Sequence, residues 1–80
     1  MLVNMNELLL PAQKGRYGVG YFNTADVEMA RAVIETAEEL KAPVMLGIAE
    51  ILLPVMSLEQ TAEYLLPMAE KASVPVCVHY

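Results

Sequence analysis

Three side chains of this 80-residue chain could do chemistry from where they stand: Asn23, Glu50 and His79, the single histidine. An asparagine offers both a donor and an acceptor, a carboxylate can act as base or ligand, and an imidazole can carry a proton either way. Each follows a short apolar run, Val19–Phe22, Val44–Ala49 and Val76–Val78. If those runs are parallel strands, Asn23, Ala49, Glu50 and His79 (with Tyr80 after it) face one common site, because parallel α/β sheets bind ligands outside the carboxyl ends of their strands. Each also has a plainer role. Asn23 could cap the turn that follows it, Glu50 could be a solvated loop carboxylate, and His79 a hydrogen-bonded wall residue. One histidine without a Cys, Asp or Glu partner set does not make a metal site. No serine or cysteine has an assignable base for nucleophilic catalysis. On spacing alone these residues form an incomplete α/β active-site wall.

The stretch that must position them is Pro43–Ala49. It is apolar at consecutive positions rather than alternating, which reads as a strand buried on both faces. A first strand is expected over Tyr17–Asn23 and a third over Pro75–Tyr80. Between them, Asp26–Lys41 carries an apolar stripe of Val27, Ala30, Ile34 and Ala37 opposite a charged face of Glu28, Arg31, Glu35, Glu38 and Glu39. Thr24 or Asp26 should cap it. Ser57–Ala72 is a second amphipathic helix, opened by a Ser57/Gln60 capping box and bent at Pro67. A shorter helix, about Met5 to Lys14, has an Asn4/Glu7 capping box, contains Pro11 and should end at Gly15. It stands outside the strand–helix alternation and is expected to close one end of the sheet.

One joint recurs. Lys41-Ala42-Pro43-Val44 reappears as Lys71-Ala72-Ser73-Val74-Pro75-Val76, each time a helix end followed by a proline that opens a strand. That is a βα repeat unit, and the expectation is an α/β fold with parallel strands. Gly18 and Gly20 lack the third glycine and the strand-to-helix position of a dinucleotide fingerprint, so tight interior packing is the expected use for them. The apolar segment Ile51–Met56 is unusual for a loop and should either pack under a neighbouring subunit or line a site.

Composition excludes several classes. The formal net charge is −5 with five basic residues spread thinly, which is no nucleic-acid footprint. No apolar run approaches the roughly 18 residues that span a bilayer, and no signal-peptide pattern is present. The lone cysteine, Cys77, falls in a strand and is expected as a reduced core thiol, in keeping with a cytoplasmic protein. At 56% hydrophobic, the chain is more apolar than a free-standing domain of this length needs, which points to surfaces that meet something else.

Taken in order, Val3-Asn4-Met5, Tyr17-Gly18-Val19-Gly20-Tyr21-Phe22-Asn23, Glu38-Glu39-Leu40-Lys41-Ala42-Pro43-Val44 and Val74-Pro75-Val76-Cys77-Val78-His79 resemble the class II ketose-bisphosphate aldolases, which include fructose- and tagatose-bisphosphate aldolases. The match runs across essentially the whole chain. It implies a (β/α)8 TIM barrel of which residues 1–80 are the N-terminal part, within a single barrel domain. It also implies reversible aldol cleavage of a ketose bisphosphate to dihydroxyacetone phosphate and an aldehyde, assisted by zinc or another divalent metal. In that family the third strand typically ends His-Leu-Asp-His-Gly, the aspartate serving as acid/base and the second histidine as metal ligand. His79 matches the first histidine and Tyr80 the next position, so the resemblance places the metal ligands beyond this stretch and implies that these residues alone bind no metal and are inactive. Asn23 matches a family asparagine near the substrate. Ala49 stands where the family commonly has a phosphate-binding serine. The expected partners are a phosphorylated sugar and further copies of the chain in a homo-oligomer. Two other readings are a non-catalytic α/β fragment that assembles through open sheet edges and a small nucleotide-binding α/β protein.

Overall fold

The first helix begins where Asn4 makes a local bargain with Glu7: its side chain accepts from the Glu7 N–H at 2.8 Å, and the Glu7 carboxylate accepts from the Asn4 N–H at 3.2 Å. This reciprocal cap satisfies donors that the opening turn leaves free. In the computed structural model, which describes residues 1–80, α1 (Met5–Gly15) leads into β1 (Gly20–Asn23), α2 (Val27–Leu40), β2 (Val44–Gly47), one 3-10 turn (Glu50–Leu52), α3 (Leu58–Lys71) and β3 (Val76–His79). Gly15 ends α1, as expected. It is the last helical residue, and Arg16 takes the left-handed cap at φ 57°. A Cβ at 15 would stand 2.8 Å from the exposed ring of Tyr17, which would have to swing aside.

Both prolines are carried inside their helices, Pro11 in α1 and Pro67 in α3. Asp26 caps α2, accepting from the Met29 N–H at 2.8 Å, and the Ser57/Gln60 box opens α3. The two helix-to-strand joints share residues but not conformation. The first turns through left-handed Lys41, whereas Ala72 leaves α3 in an extended conformation. The joints are tied together by Glu38, whose carboxylate accepts from the Ser73 N–H at 2.8 Å. Glu38 is therefore not simply part of a solvated charged face.

The three strands are parallel in the order β1-β2-β3, with Tyr21–Met45–Cys77 and Asn23–Gly47–His79 as rows of the register. One face of the sheet presents Val44, Leu46, Ile48, Val74 and Val76 to Ala30, Ile34 and Ala37 of α2 and to Leu65 and Ala69 of α3, and this is the main core. On the other face Met45 and Cys77 meet Leu8 of α1. β2 is thus buried at all four positions because it is covered from both sides, which is why its sequence does not alternate.

β1 differs from expectation. It is four residues long, starts at Gly20 rather than Tyr17, and every residue in it is exposed. Its glycines do not serve interior packing. A Cβ at Gly18 would meet nothing, and Gly20 lies under the ring of Phe22. The other edge is not open, as the free-edge expectation had it. Val76 donates to the Met1 carbonyl at 2.8 Å and accepts from the Val3 N–H at 2.9 Å, so residues 1–3 lie along the start of β3. Only the β1 edge is wholly unpaired. The apolar segment after β2 is half-absorbed. Leu53 packs on the main core, while Ile51 and Val55 stand 83% and 84% exposed.

Candidate functional site at the carboxyl ends of the strands

The strands end together because their last residues are cross-linked by backbone bonds. The Thr24 N–H donates to the Gly47 carbonyl at 2.9 Å, and the Ile48 N–H donates to the His79 carbonyl at 2.8 Å. Thr24 is buried, and its hydroxyl adds a second bond to the Gly47 carbonyl at 3.2 Å. Across this rim Asn23, Gly47 and His79 form one row of the register. Residues in one row of a parallel sheet share a face, so Asn23 and His79 are displayed on the same side, about 10 Å apart with one strand between them. It is the side that carries Met45 and Cys77, opposite the main core. α1 covers that side beneath the rim through Leu8, as the expected closure of one end requires.

Asn23 is exposed and its side chain makes no bond to the following turn, where Asp26 has taken the cap. Of its two expected uses, turn capping is not the one adopted. Ala49 is half-buried and precedes the 3-10 turn without a side-chain cap. Glu50 is the exposed first residue of that turn, its carbonyl accepting from the Leu53 N–H at 3.0 Å and its carboxylate without a hydrogen-bond partner. The structure therefore brings Asn23 and His79 into one row and leaves Ala49 and Glu50 on the loop above β2.

A residue of the neighbouring row, which spacing alone did not single out, joins Asn23 and His79 on this face. Tyr21, two positions before Asn23 on the same face, reaches across β2 so that its hydroxyl lies 3.3 Å from Nδ1 of His79. The two rings meet edge to face, 70° apart with centroids 5.7 Å from each other. The crossing depends on Gly47, where a Cβ would overlap the end of the Tyr21 ring. The available signal was the strand period of two, which puts Tyr21 with Asn23, and the glycine opposite Asn23. Beneath the rim, Cys77 is a free buried cysteine, and burial pushes its thiol pKa up.

No group of three or more His, Cys, Asp or Glu side chains is placed to hold a metal ion. The five basic residues are also elsewhere: Lys14 and Arg16 at the end of α1, Arg31 in α2, and Lys41 and Lys71 at the starts of the joints into β2 and β3. No helix is long and apolar enough to cross a membrane.

A parallel sheet with helices on one face, a helix under the other and polar residues at its carboxyl rim is consistent with the N-terminal part of a (β/α)8 barrel. The solved structure of the YdjI aldolase from Escherichia coli K12 is similar to it, with a TM-score of 0.92 at 33% identity, over 99% of this chain and 31% of that one. The sequence is 40% identical over 79 residues to the fructose-bisphosphate aldolase of Thermus caldophilus, and 36% identical over 81 residues to the 6-phospho-5-dehydro-2-deoxy-D-gluconate aldolase of Halalkalibacterium halodurans. The chain spans 26% and 28% of those two relatives. The family model of class-II fructose-bisphosphate aldolase matches residues 3–80. The chain belongs to that family, and its fold is the first three strands and intervening helices of the barrel, preceded by a short N-terminal helix.

Proposed function

We propose that this chain is the N-terminal wall of a class II aldolase that cleaves a phosphorylated ketose, a ketose bisphosphate in the first instance, to dihydroxyacetone phosphate and an aldehyde. The observation that carries the reading is the row Asn23–Gly47–His79 at the carboxyl ends of parallel strands, in a chain of this family. In that setting the free Asn23 amide binds substrate hydroxyl or carbonyl oxygens, and the exposed His79 ring supplies a second polar contact one strand away. Ala49 has no hydroxyl for a phosphate, and no cation lies at the rim, so phosphate binding falls to groups outside residues 1–80. The family's divalent metal, zinc by resemblance, polarises the substrate carbonyl when bound. The side chains present here do not fit it as a ligand set, since no three of the right type converge. On this reading residues 1–80 are one part of a single barrel domain, inactive alone, in a cytoplasmic homo-oligomer.

The deciding experiment is intact mass, metal content and aldol-cleavage turnover on native material. We expect a mass several times 8.8 kDa and turnover abolished by a chelator. Native material at 8.8 kDa without turnover would overturn the enzyme reading. It would leave a second one, assembly through the β1 edge. That alternative is favoured by one feature: Thr24 N–H points to β2, so by strand alternation the backbone groups of Tyr21 and Asn23 point to the unpaired side.

A further inference from the structure

The Tyr21–His79 contact fixes more than a ring position. A phenol O–H donates readily, whereas its oxygen is a weak acceptor because its lone pairs are shared with the ring. A neutral imidazole offers one strong acceptor nitrogen and one N–H. With the hydroxyl 3.3 Å from Nδ1, the favourable pairing has Tyr21 donating and Nδ1 accepting. An accepting nitrogen carries no proton, so the proton of the neutral ring must sit on Nε2. Nothing else competes for the ring, since Tyr21 is the only side chain hydrogen-bonded to it, and its neighbours on that face are Gly47 and Cys77.

We propose that Tyr21 is a positioning residue that holds neutral His79 as its Nε2–H tautomer, and that Gly47 is there to let it do so. The rim then presents an N–H donor, not a lone pair, to an oxygen of a bound sugar. That last clause rests on the proposed function, whereas the tautomer itself does not.

His79 is the single histidine of residues 1–80, and its two ring nitrogens are identified in a long-range 1H–15N spectrum of the 15N-labelled native protein as the signals missing from a His79→Gln variant. The spectrum is taken near pH 8.5, about two units above the ordinary imidazole value. The unmodified chain should show Nδ1 as an unprotonated acceptor and Nε2 protonated. Tyr21→Phe, which removes only the hydroxyl of an exposed side chain, should lower the Nε2–H to Nδ1–H ratio about three- to five-fold, the weight of one modest hydrogen bond. Gly47→Ala should do the same with the tyrosine still present, because the added methyl displaces the flexible end of Tyr21. The double variant should be no worse than either single one. An unmodified chain with its proton on Nδ1, or variants that keep the original ratio, would overturn the proposal. Loss of the aldolase reading would leave these spectra unchanged.

Discussion

The backbone N–H and the side-chain hydroxyl of Thr24 converge on one acceptor, the carbonyl of Gly47, at 2.9 and 3.2 Å. With Thr24 only 2% exposed, this paired bond sets the height at which β1 and β2 end and therefore where Asn23 and Gly47 stand. Thr24→Val keeps the shape and the backbone bond but removes the hydroxyl. We expect a loss of about 1 kcal/mol, because the carbonyl keeps one partner. It should appear as a lower urea midpoint at unchanged slope. A midpoint equal to that of the parent chain would show that the second bond contributes nothing.

Leu46 and Leu65 are fully buried on facing sides of the main core, one from β2 and one from α3. Truncating either to alanine should cost about 2–5 kcal/mol, through lost transfer energy and the cavity left behind. That is a large share of the roughly 5–15 kcal/mol that holds a domain folded. Leu46→Ala should therefore lose its cooperative thermal transition in far-UV circular dichroism. Leu10→Ala, at an exposed site of α1, should change stability by less than about 0.5 kcal/mol.

Tyr64 packs its ring on the main core while its buried hydroxyl finds no hydrogen-bond partner. An unsatisfied hydroxyl of this kind is a cost that phenylalanine does not carry. Tyr64→Phe should raise stability by about 1 kcal/mol, measured by chemical denaturation. Destabilisation instead would mean that the hydroxyl has a partner, such as a bound water.

Two groups make stability depend on alkaline pH. Burial holds the Cys77 thiol above its ordinary value of 9.0, and burial together with the Asp26 carboxylate holds the Tyr64 phenol above 10.0. Both keep their protons more tightly in the folded chain than in the unfolded one. Their contribution is thus fully present below pH about 9 and is lost as pH rises through the folded-state values. The urea midpoint should be level from neutral pH to about 8.5 and fall beyond it, with a shallower fall in Cys77→Ala. An equally steep fall in Cys77→Ala/Tyr64→Phe would assign the effect to other groups.

Ala49 gives the functional reading its own test. On the proposed aldolase reading, Ala49→Ser in the full-length protein introduces a hydroxyl where the resemblance implies a contact to a substrate phosphate. We expect KM for a ketose bisphosphate to fall about ten-fold with kcat little changed, as for a hydrogen bond to a charged group made equally in ground and transition states. An unchanged KM would mean that the phosphate, held by groups outside residues 1–80, does not come within reach of position 49.

Much of the architecture was legible because it rests on local rules. The capping pairs Asn4/Glu7 and Ser57/Gln60, the unbroken apolar run of β2 and the repeated Lys-Ala…Pro-Val joints each specify an element from a few neighbouring residues. Asn23 and His79 could be named as rim residues for the same reason, since a strand end is a local feature. The start of β1 was not legible in the same way, because its strand pairs on one side only and begins at Gly20.

By itself, then, the sequence determined the order and kind of the elements and the candidate residues at strand ends, because helix periodicity, caps and apolar runs act over a few positions. Only the tertiary structure decided which residues meet. The pairing of residues 1–3 with Val76, the Glu38–Ser73 tie and the passage of Tyr21 over Gly47 to His79 join positions tens of residues apart. Such contacts depend on strand register and on the space a missing side chain leaves, and both are set only when the sheet assembles.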